Sequence, residues 1–215
     1  MANDIRLLQH DGELEEPFGD SQIGSSAMAY KRNPMRCERI CSLSRYLISD
    51  ALNAHMTAAE QWLERTLDDS ANRRISLPEG FLCASGVLAL CEYVASGLKV
   101  NELNIERNVN KQLQFIATEN LLMEAVKRGG DRQKLHEIIR EKSMETVDDL
   151  RKGGENALIE RLVEREEFAF AKGDIDGILN AKNYIGRCPE QVERYTQKLE
   201  PLFDGLEEKT VKIDI

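Results

Sequence analysis

Residues 24–34 bring together side chains that could do chemistry. Their sequence is Gly-Ser-Ser-Ala-Met-Ala-Tyr-Lys-Arg-Asn-Pro. It has adjacent hydroxyls at Ser25 and Ser26 and two adjacent cations at Lys31 and Arg32. A hydroxyl that must lose a proton needs a nearby cation and oriented hydrogen-bond donors to stabilise the oxyanion. Gly24 supplies a mobile backbone. The stretch therefore predicts a catalytic loop, with a solvated linker before a helix as the alternative that an arbitrary Gly-Ser-Ser would favour.

The whole string resembles the loop of the fumarase and aspartase superfamily, Gly-Ser-Ser-x-Met-Pro-x-Lys-x-Asn-Pro. It departs from that pattern only at Ala29, where the superfamily usually has proline, so the loop backbone should be less constrained. Within the superfamily, residues 30–36 and 62–74 are similar to the adenylosuccinate lyase family. The resemblance runs from about residue 4 to about residue 203, and the chain looks like the C-terminal half of such an enzyme.

The resemblance implies a β-elimination that breaks a carbon–nitrogen bond and releases fumarate. Proton removal beside a carboxylate builds negative charge there, which cations and hydrogen-bond donors must stabilise. The first serine of the family's loop is the base, which corresponds to Ser25. Lys31 and Asn33 would then stabilise and position the succinyl carboxylates. Neither a metal nor an organic cofactor is implied.

The same resemblance implies a set of residues that bind the nucleotide. Arg65, Ser70 and Arg74 match positions that hold a phosphate in the family, and two guanidinium groups with a hydroxyl suit that anion. The alternative is that both arginines form surface ion pairs, as isolated arginines usually do. The expected substrate-binding residues are Ser26, Met28, Arg39, Arg65, Ser70 and Arg74.

The general acid is expected outside this chain. His10, His55 and His136 fall in no family motif, so each is expected to be a surface or core residue and not a catalyst. The resemblance places the acid histidine in the N-terminal half of the enzyme. Because active sites in the family are assembled from three subunits of a homotetramer, we expect this chain to need that half for turnover.

Composition narrows the class of protein. The chain has 215 residues and a net charge of −9, which argues against a general nucleic-acid binder. The five cysteines lack metal-like spacing and favour reduced thiols of a cytosolic protein. The N-terminus resembles no signal peptide, and the apolar run over residues 80–91 is shorter than the roughly 20 residues that span a bilayer. We therefore expect a cytoplasmic protein without a membrane partner.

Helical patterns predict an all-α fold. Apolar residues spaced by three and four predict one long helix from Pro34 to about Leu67, with Asn33 as its cap. Ser76 and Glu79 form a capping box that predicts a second helix to about Gly97. That helix is apolar nearly all round, so it should be buried against helices of partner subunits.

Two domains are expected. Residues 1–100 would form the C-terminal part of a central helical bundle that carries the catalytic loop. Residues 101–215 would form a smaller, all-helical C-terminal domain, with helices predicted at about 102–111, 116–127, 131–152, 155–165, 175–179 and 189–202. No strand is predicted.

Three functions remain open from the sequence. The leading one is the C-terminal portion of an adenylosuccinate lyase, acting on adenylosuccinate and on its imidazole carboxamide relative SAICAR. The second is another lyase of the superfamily, of the argininosuccinate lyase or fumarase and aspartase type, against which the phosphate-binding set argues. The third is a non-catalytic helical oligomerisation fragment.

Overall fold

The computed structural model describes residues 1–19, 28, 30–63 and 67–206, and its fold is all-α. Three residues of the expected site, Ser25, Ser26 and Arg65, lie outside the described part of the chain. The contacts between residues divide the chain into two compact units, Met1–Asn104 and Ile105–Glu207. The expected domain boundary between residues 100 and 101 lies close to this division. That the two parts are separate domains stays a prediction.

The first unit is built on two long helices. It comprises α1 (Ala2–His10), β1 (Leu14–Glu15), α2 (Met35–Ala59), α3 (Asp69–Ser96) and β2 (Lys99–Val100). Helices α2 and α3 are antiparallel, because residues with higher numbers in α2 contact residues with lower numbers in α3. The Asn72 amide donates to Asn53 Oδ1 (2.8 Å), the Tyr46 hydroxyl to Glu79 (3.0 Å) and the Cys83 thiol to the Leu43 carbonyl (3.2 Å).

A small apolar core and a short strand pair hold α1 to these helices. Ile5 of α1 packs with Cys37 and Ile40 of α2 and with Leu90 and Val94 of α3. Strands β1 and β2 pair antiparallel, with Leu14 opposite Val100, and this pair was not predicted. Its signal is too short for the sequence to show, because two residues display no alternation.

The second unit contains shorter helices around its own core. It comprises α4 (Glu102–Lys127, whose first turn precedes the unit), α5 (Arg132–Arg151), α6 (Leu158–Val163), α7 (Ile175–Ile178) and α8 (Cys188–Leu199). Three 3₁₀ helices are interspersed, Glu166–Ala171, Ala181–Tyr184 and Glu200–Leu202. Helix α5 has a side-chain cap, because Asp131 accepts from the Lys134 amide (2.9 Å).

The core of the second unit follows the helical period. Leu113, Ala117, Leu121 and Ala125 recur every four residues along α4 and are buried. They pack with Leu135 and Ile139 of α5, with all the apolar residues of α6, and with Phe168 of the first 3₁₀ helix. Because this stripe passes through residues 112–115 without glycine or proline, α4 is one helix, and the predicted division into 102–111 and 116–127 is wrong.

The predicted end of α2 and the predicted start of α3 were also wrong, whereas the predicted end of α3 near Gly97 is confirmed. Helix α2 stops at Ala59 rather than Leu67, and Leu63 has a φ of 56°, a left-handed backbone that no helix continues. Helix α3 begins at Asp69, so Ser76 is inside it and forms no capping box. Pro78 also lies inside α3, where it removes one backbone hydrogen bond. Contacts of α3 with α2 on both sides of Pro78 offset that loss.

The apolar surface of α3 is exposed in this chain. Phe81 (75% exposed), Leu82 (74%) and Leu88 (69%) lie on the surface of the described chain, and their expected packing against helices of partner subunits stays a prediction. Among the described residues, α3 is the one helix that is long and apolar enough, by length and composition alone, to cross a membrane. A helix covered by other protein chains satisfies the same test.

Replacing Phe168 tests the core of the second unit. Phe168 is fully buried, whereas Phe203 is 63% exposed. We expect Phe168→Ala to lower the free energy of unfolding by about 3–5 kcal/mol, since it removes apolar contact and leaves a cavity. Phe203→Ala, the matched control, should change it by less than about 1 kcal/mol. Urea unfolding followed by circular dichroism measures both, and equal losses would contradict the assignment.

Candidate active site

The described part of the expected catalytic loop lies immediately before α2. Lys31 is exposed, and its amide closes a turn by donating to the Met28 carbonyl (3.0 Å). Met28, expected to bind substrate, is 40% exposed beside the Tyr30 hydroxyl. Asn33 is half-buried, and its carbonyl accepts from the Met35 amide (2.8 Å). The segment thus presents Lys31 to solvent just ahead of a helix N-terminus.

The cap of α2 comes from a distant residue, Glu16. One Glu16 carboxylate oxygen accepts from the Arg36 amide (2.9 Å) and the other from the Cys37 amide (2.9 Å). The first amides of a helix have no partner within it, and a negative charge there is favourable. Pro34, not the predicted Asn33, occupies the cap position of α2, and it provides no side-chain acceptor for the first helix amides.

Arg36 neutralises the buried carboxylate. Its guanidinium lies 3.8 Å from Glu16, donates to the Pro17 carbonyl (2.6 Å) and stacks 4.8 Å from the centre of the Tyr93 ring. Both charged side chains are almost fully buried, at 7% and 0% exposure. A buried carboxylate is tolerated only when it is paired and hydrogen-bonded. Glu16 and Arg36 therefore fix where the segment 31–34 enters α2.

A second anchor ties the segment to α1. The Gln9 amide donates to the Arg32 carbonyl (3.2 Å), and its oxygen accepts from the Glu16 amide (3.0 Å). Arg32 itself pairs with Glu15 (3.1 Å) and lies over the Phe18 ring. Both ends of the segment are therefore held by neighbouring residues of the first unit.

A cavity of about 610 Å³ opens between α1 and this segment. Lys31 and Asn33, two of the expected catalytic residues, line it together. The other side chains around it that can carry charge or donate hydrogen bonds were not assigned from the sequence; they are Asn3, Arg6, Gln9, His10, Arg32 and Glu38. No pattern along the chain could have placed the α1 residues there, because α1 reaches the cavity through long-range contacts, namely the Ile5 packing, the Gln9 hydrogen bonds and the strand pair.

The expected phosphate-binding residues form a separate pair at the start of α3. Ser70 is buried and Arg74 exposed, and the Arg74 guanidinium donates to both the Ser70 hydroxyl and the Ser70 carbonyl (3.1 Å to the latter). Neither residue lines the cavity that holds Lys31. Arg39 lies exposed near the start of α2 and forms no ion pair within the described chain. The structure thus joins Ser70 to Arg74 but does not place either beside Lys31.

Two further features bear on the chemistry. No cluster of three or more metal-binding side chains occurs among the described residues. All five cysteines are free, with Cys37 buried and Cys188 exposed. Burial, followed by the neighbouring Glu16 carboxylate, raises the pKa of the Cys37 thiol to about 12. Cys37 is therefore protonated and unreactive over the physiological pH range.

Comparison with protein families agrees with the sequence resemblance. Residues 114–195 match the family model described as "Adenylosuccinate lyase C-terminus". The chain is 48% identical over 221 residues to adenylosuccinate lyase of Saccharomyces cerevisiae, covering all of this chain and 46% of the relative. It is also 48% identical to the Schizosaccharomyces pombe enzyme, covering 92% of this chain and 41% of the relative. The chain therefore spans slightly less than half the length of these relatives.

Solved structures show the same fold. A 3-carboxy-cis,cis-muconate lactonizing enzyme from Pseudomonas putida has a TM-score of 0.77 at 20% identity, over 93% of this chain and 43% of its own. A fumarate lyase from Mesorhizobium sp. BNC1 has a TM-score of 0.73 at 25% identity, over 90% of this chain and 41% of its own. The all-α fold predicted from the sequence, that of a fumarase and aspartase superfamily member, is confirmed.

Removing the Glu16 carboxylate tests its role as a buried cap. We expect Glu16→Ala to lower the free energy of unfolding by about 3 kcal/mol or more, because it leaves Arg36 buried without its partner and frees two helix amides. Glu16→Gln should cost less, since one acceptor remains. Glu106→Ala, an exposed site on α4, is the control and should cost less than about 0.5 kcal/mol. Thermal and urea unfolding measure the series, and a loss for Glu16→Ala no larger than the control's would refute the role.

Thiol labelling tests the environment of Cys37. At about pH 8 iodoacetamide should modify exposed Cys188 and leave Cys37 unmodified, because only the thiolate reacts and its pKa in the folded chain is about 12. Peptide mass spectrometry reads each site, and the urea-unfolded chain, labelled at all five cysteines, is the control. Modification of Cys37 as fast as Cys188 in the folded chain would contradict the assigned burial.

Proposed function

Because this chain belongs to the adenylosuccinate lyase family, we propose that it carries part of the active site of an adenylosuccinate lyase. The reaction would eliminate fumarate from adenylosuccinate to give AMP, and from SAICAR to give AICAR, in purine biosynthesis. The observation that carries the proposal is that Lys31 and Asn33 of the family's loop motif line one polar cavity. No cofactor takes part in the proposed reaction.

Each residue of the motif has a proposed role. Ser25 removes the proton from the carbon beside the succinyl carboxylate, once Lys31 and loop amides have stabilised its alkoxide. Asn33 donates hydrogen bonds to the same carboxylate, whose charge rises in the carbanion. Ser26 and Met28 contact the substrate within the loop. Closure of the loop, which Gly24 permits, would exclude water from this chemistry.

The nucleotide phosphate is proposed to bind at the other group of cations. Ser70 and Arg74 already lie side by side, so a hydroxyl and a guanidinium can donate to one anion. Arg65 is proposed to complete this site. Arg39 lies at the opposite end of the antiparallel α2–α3 pair, so it is proposed to bind the substrate near the catalytic loop. Argininosuccinate and aspartate have no phosphate to occupy it, which favours the nucleotide substrates over those of the other superfamily lyases.

The complete site is proposed to need other chains. The exposed apolar face of α3 is suited to packing against a second copy, and a homotetramer would cover it. The general acid would come from the portion of the relatives that this chain does not span, and three subunits would contribute to each site. We propose a cytoplasmic location, since the substrates are soluble nucleotides.

Complementation with Ser25→Ala tests the proposed function. The chain is co-expressed with the N-terminal portion of the Saccharomyces cerevisiae relative, and fumarate release from adenylosuccinate is measured. We expect turnover, and a loss of at least about 10²-fold with Ser25→Ala, because the proton acceptor is removed.

Ser42→Ala, at an exposed position on α2, is the matched control and should leave turnover unchanged. Undiminished turnover by Ser25→Ala would refute the proposed base. An assembly that binds adenylosuccinate but releases no fumarate with the unaltered chain would refute the proposed activity.

A further inference from the structure

We infer that α1 supplies part of the carboxylate-binding site, through Arg6 and His10, which no motif assigns. This inference rests on the proposed function and deepens it, since it extends the site of Lys31 and Asn33. Arg6 and His10 line the same 610 Å³ cavity as that pair. The ligand class is a small dicarboxylate, such as the succinyl part of the substrate or fumarate.

The cavity carries positive charge that its own acidic residues do not neutralise. Arg6 contacts the Asn3 amide oxygen (3.3 Å) and forms no ion pair within the described chain. Lys31 and His10 also form none there. The other arginine that lines the cavity, Arg32, is paired with Glu15. Among the described residues, Glu38 is the one acidic side chain that lines the cavity. An entering anion would therefore find Arg6 and Lys31 available.

The walls of the cavity are held in place before any ligand binds. Gln9, between Leu8 and His10 on α1, bridges the Arg32 carbonyl (3.2 Å) and the Glu16 amide (3.0 Å). The buried Glu16 carboxylate caps α2 on the other side of the segment. A preorganised site loses little entropy on binding, which suits a small polar ligand. The helix that carries Arg6 and His10 is therefore joined by hydrogen bonds to the segment that carries Lys31.

The chemistry favours carboxylate over phosphate. A guanidinium offers two parallel donors that match the plane of a carboxylate, and an ammonium on the opposite wall can hold the second carboxylate. The proposed phosphate site, Ser70 with Arg74, does not line this cavity. Since the two anionic ends of the substrate need different sites, the cavity is assigned to the dicarboxylate end.

Histidine resonances provide a direct test on the 215-residue chain. With three histidines in the sequence, the ring signals of His10, His55 and His136 can be resolved, and His10→Asn assigns the first. Titration with succinate should shift the His10 signal and leave the other two unchanged. Arg6→Gln should raise the succinate dissociation constant about tenfold, because it removes a charge-assisted hydrogen-bond donor. Arg45→Gln, at an exposed position of α2, should not change it.

Each other outcome overturns the inference. No shift of the His10 signal, equal shifts of all three histidines, or unchanged affinity in Arg6→Gln would remove Arg6 and His10 from the site. If inorganic phosphate produces the same shifts at lower concentration, the dicarboxylate assignment is wrong. Because the readout is binding, this failure is separate from that of the proposed activity. Turnover in the complemented assembly without succinate binding here would refute the inference alone.

Discussion

The carboxylate of Glu16 is the contact on which the arrangement of the site depends. A carboxylate with no exposed surface is expensive to bury, and here two helix amides and one guanidinium compensate that cost. In return, the carboxylate fixes the start of α2 and hence the segment that carries Lys31 and Asn33. Burial and, after it, the same carboxylate raise the pKa of the Cys37 thiol to about 12, so this thiol stays protonated at neutral pH.

The contact also helps to hold the described part of the loop motif, residues 31–34, beside the cavity. Residues before the segment need freedom if the proposed loop is to close, whereas residues after it must hold a substrate group at a constant position. Gln9 and Glu16 anchor the segment from α1 and from the stretch that follows β1. The described part of the motif, residues 31–34, is thereby held at the cavity wall.

The sequence predicted much of the fold, and its errors have physical causes. The helical period found α2, α3 and α5 and the all-α class, but it divided α4 into two helices. It also overran the end of α2, because Trp62 and Leu63 look apolar although both are exposed. It placed the start of α3 too late because Ser76 and Pro78 form a helix-start signal that packing against α2 overrides. Helical periodicity and helix-start signals describe one segment at a time, whereas contacts between segments set the end of α2 and the start of α3.

The site was predicted unequally. The motif named Lys31, Asn33, Ser70 and Arg74 with no structure, and the structure adds that the first two share a cavity and the last two share a hydrogen bond. The motif could not indicate Arg6 or His10, because the position of these residues depends on how α1 packs through its apolar core and on a strand pair of two residues. The cap of α2 was likewise invisible, since Glu16 lies far from that helix in sequence.

Hydrogen exchange at individual amides tests the central claim most directly. In Glu16→Gln, measured by NMR at a temperature where circular dichroism shows the variant folded, the Arg36 and Cys37 amides should exchange at least about tenfold faster than in the unaltered chain. The Lys31 amide, at the other end of the segment, should also exchange faster in this variant. Amides of α5 should be unchanged. Unaltered exchange at Arg36, Cys37 and Lys31 would contradict the claim that this carboxylate holds the site.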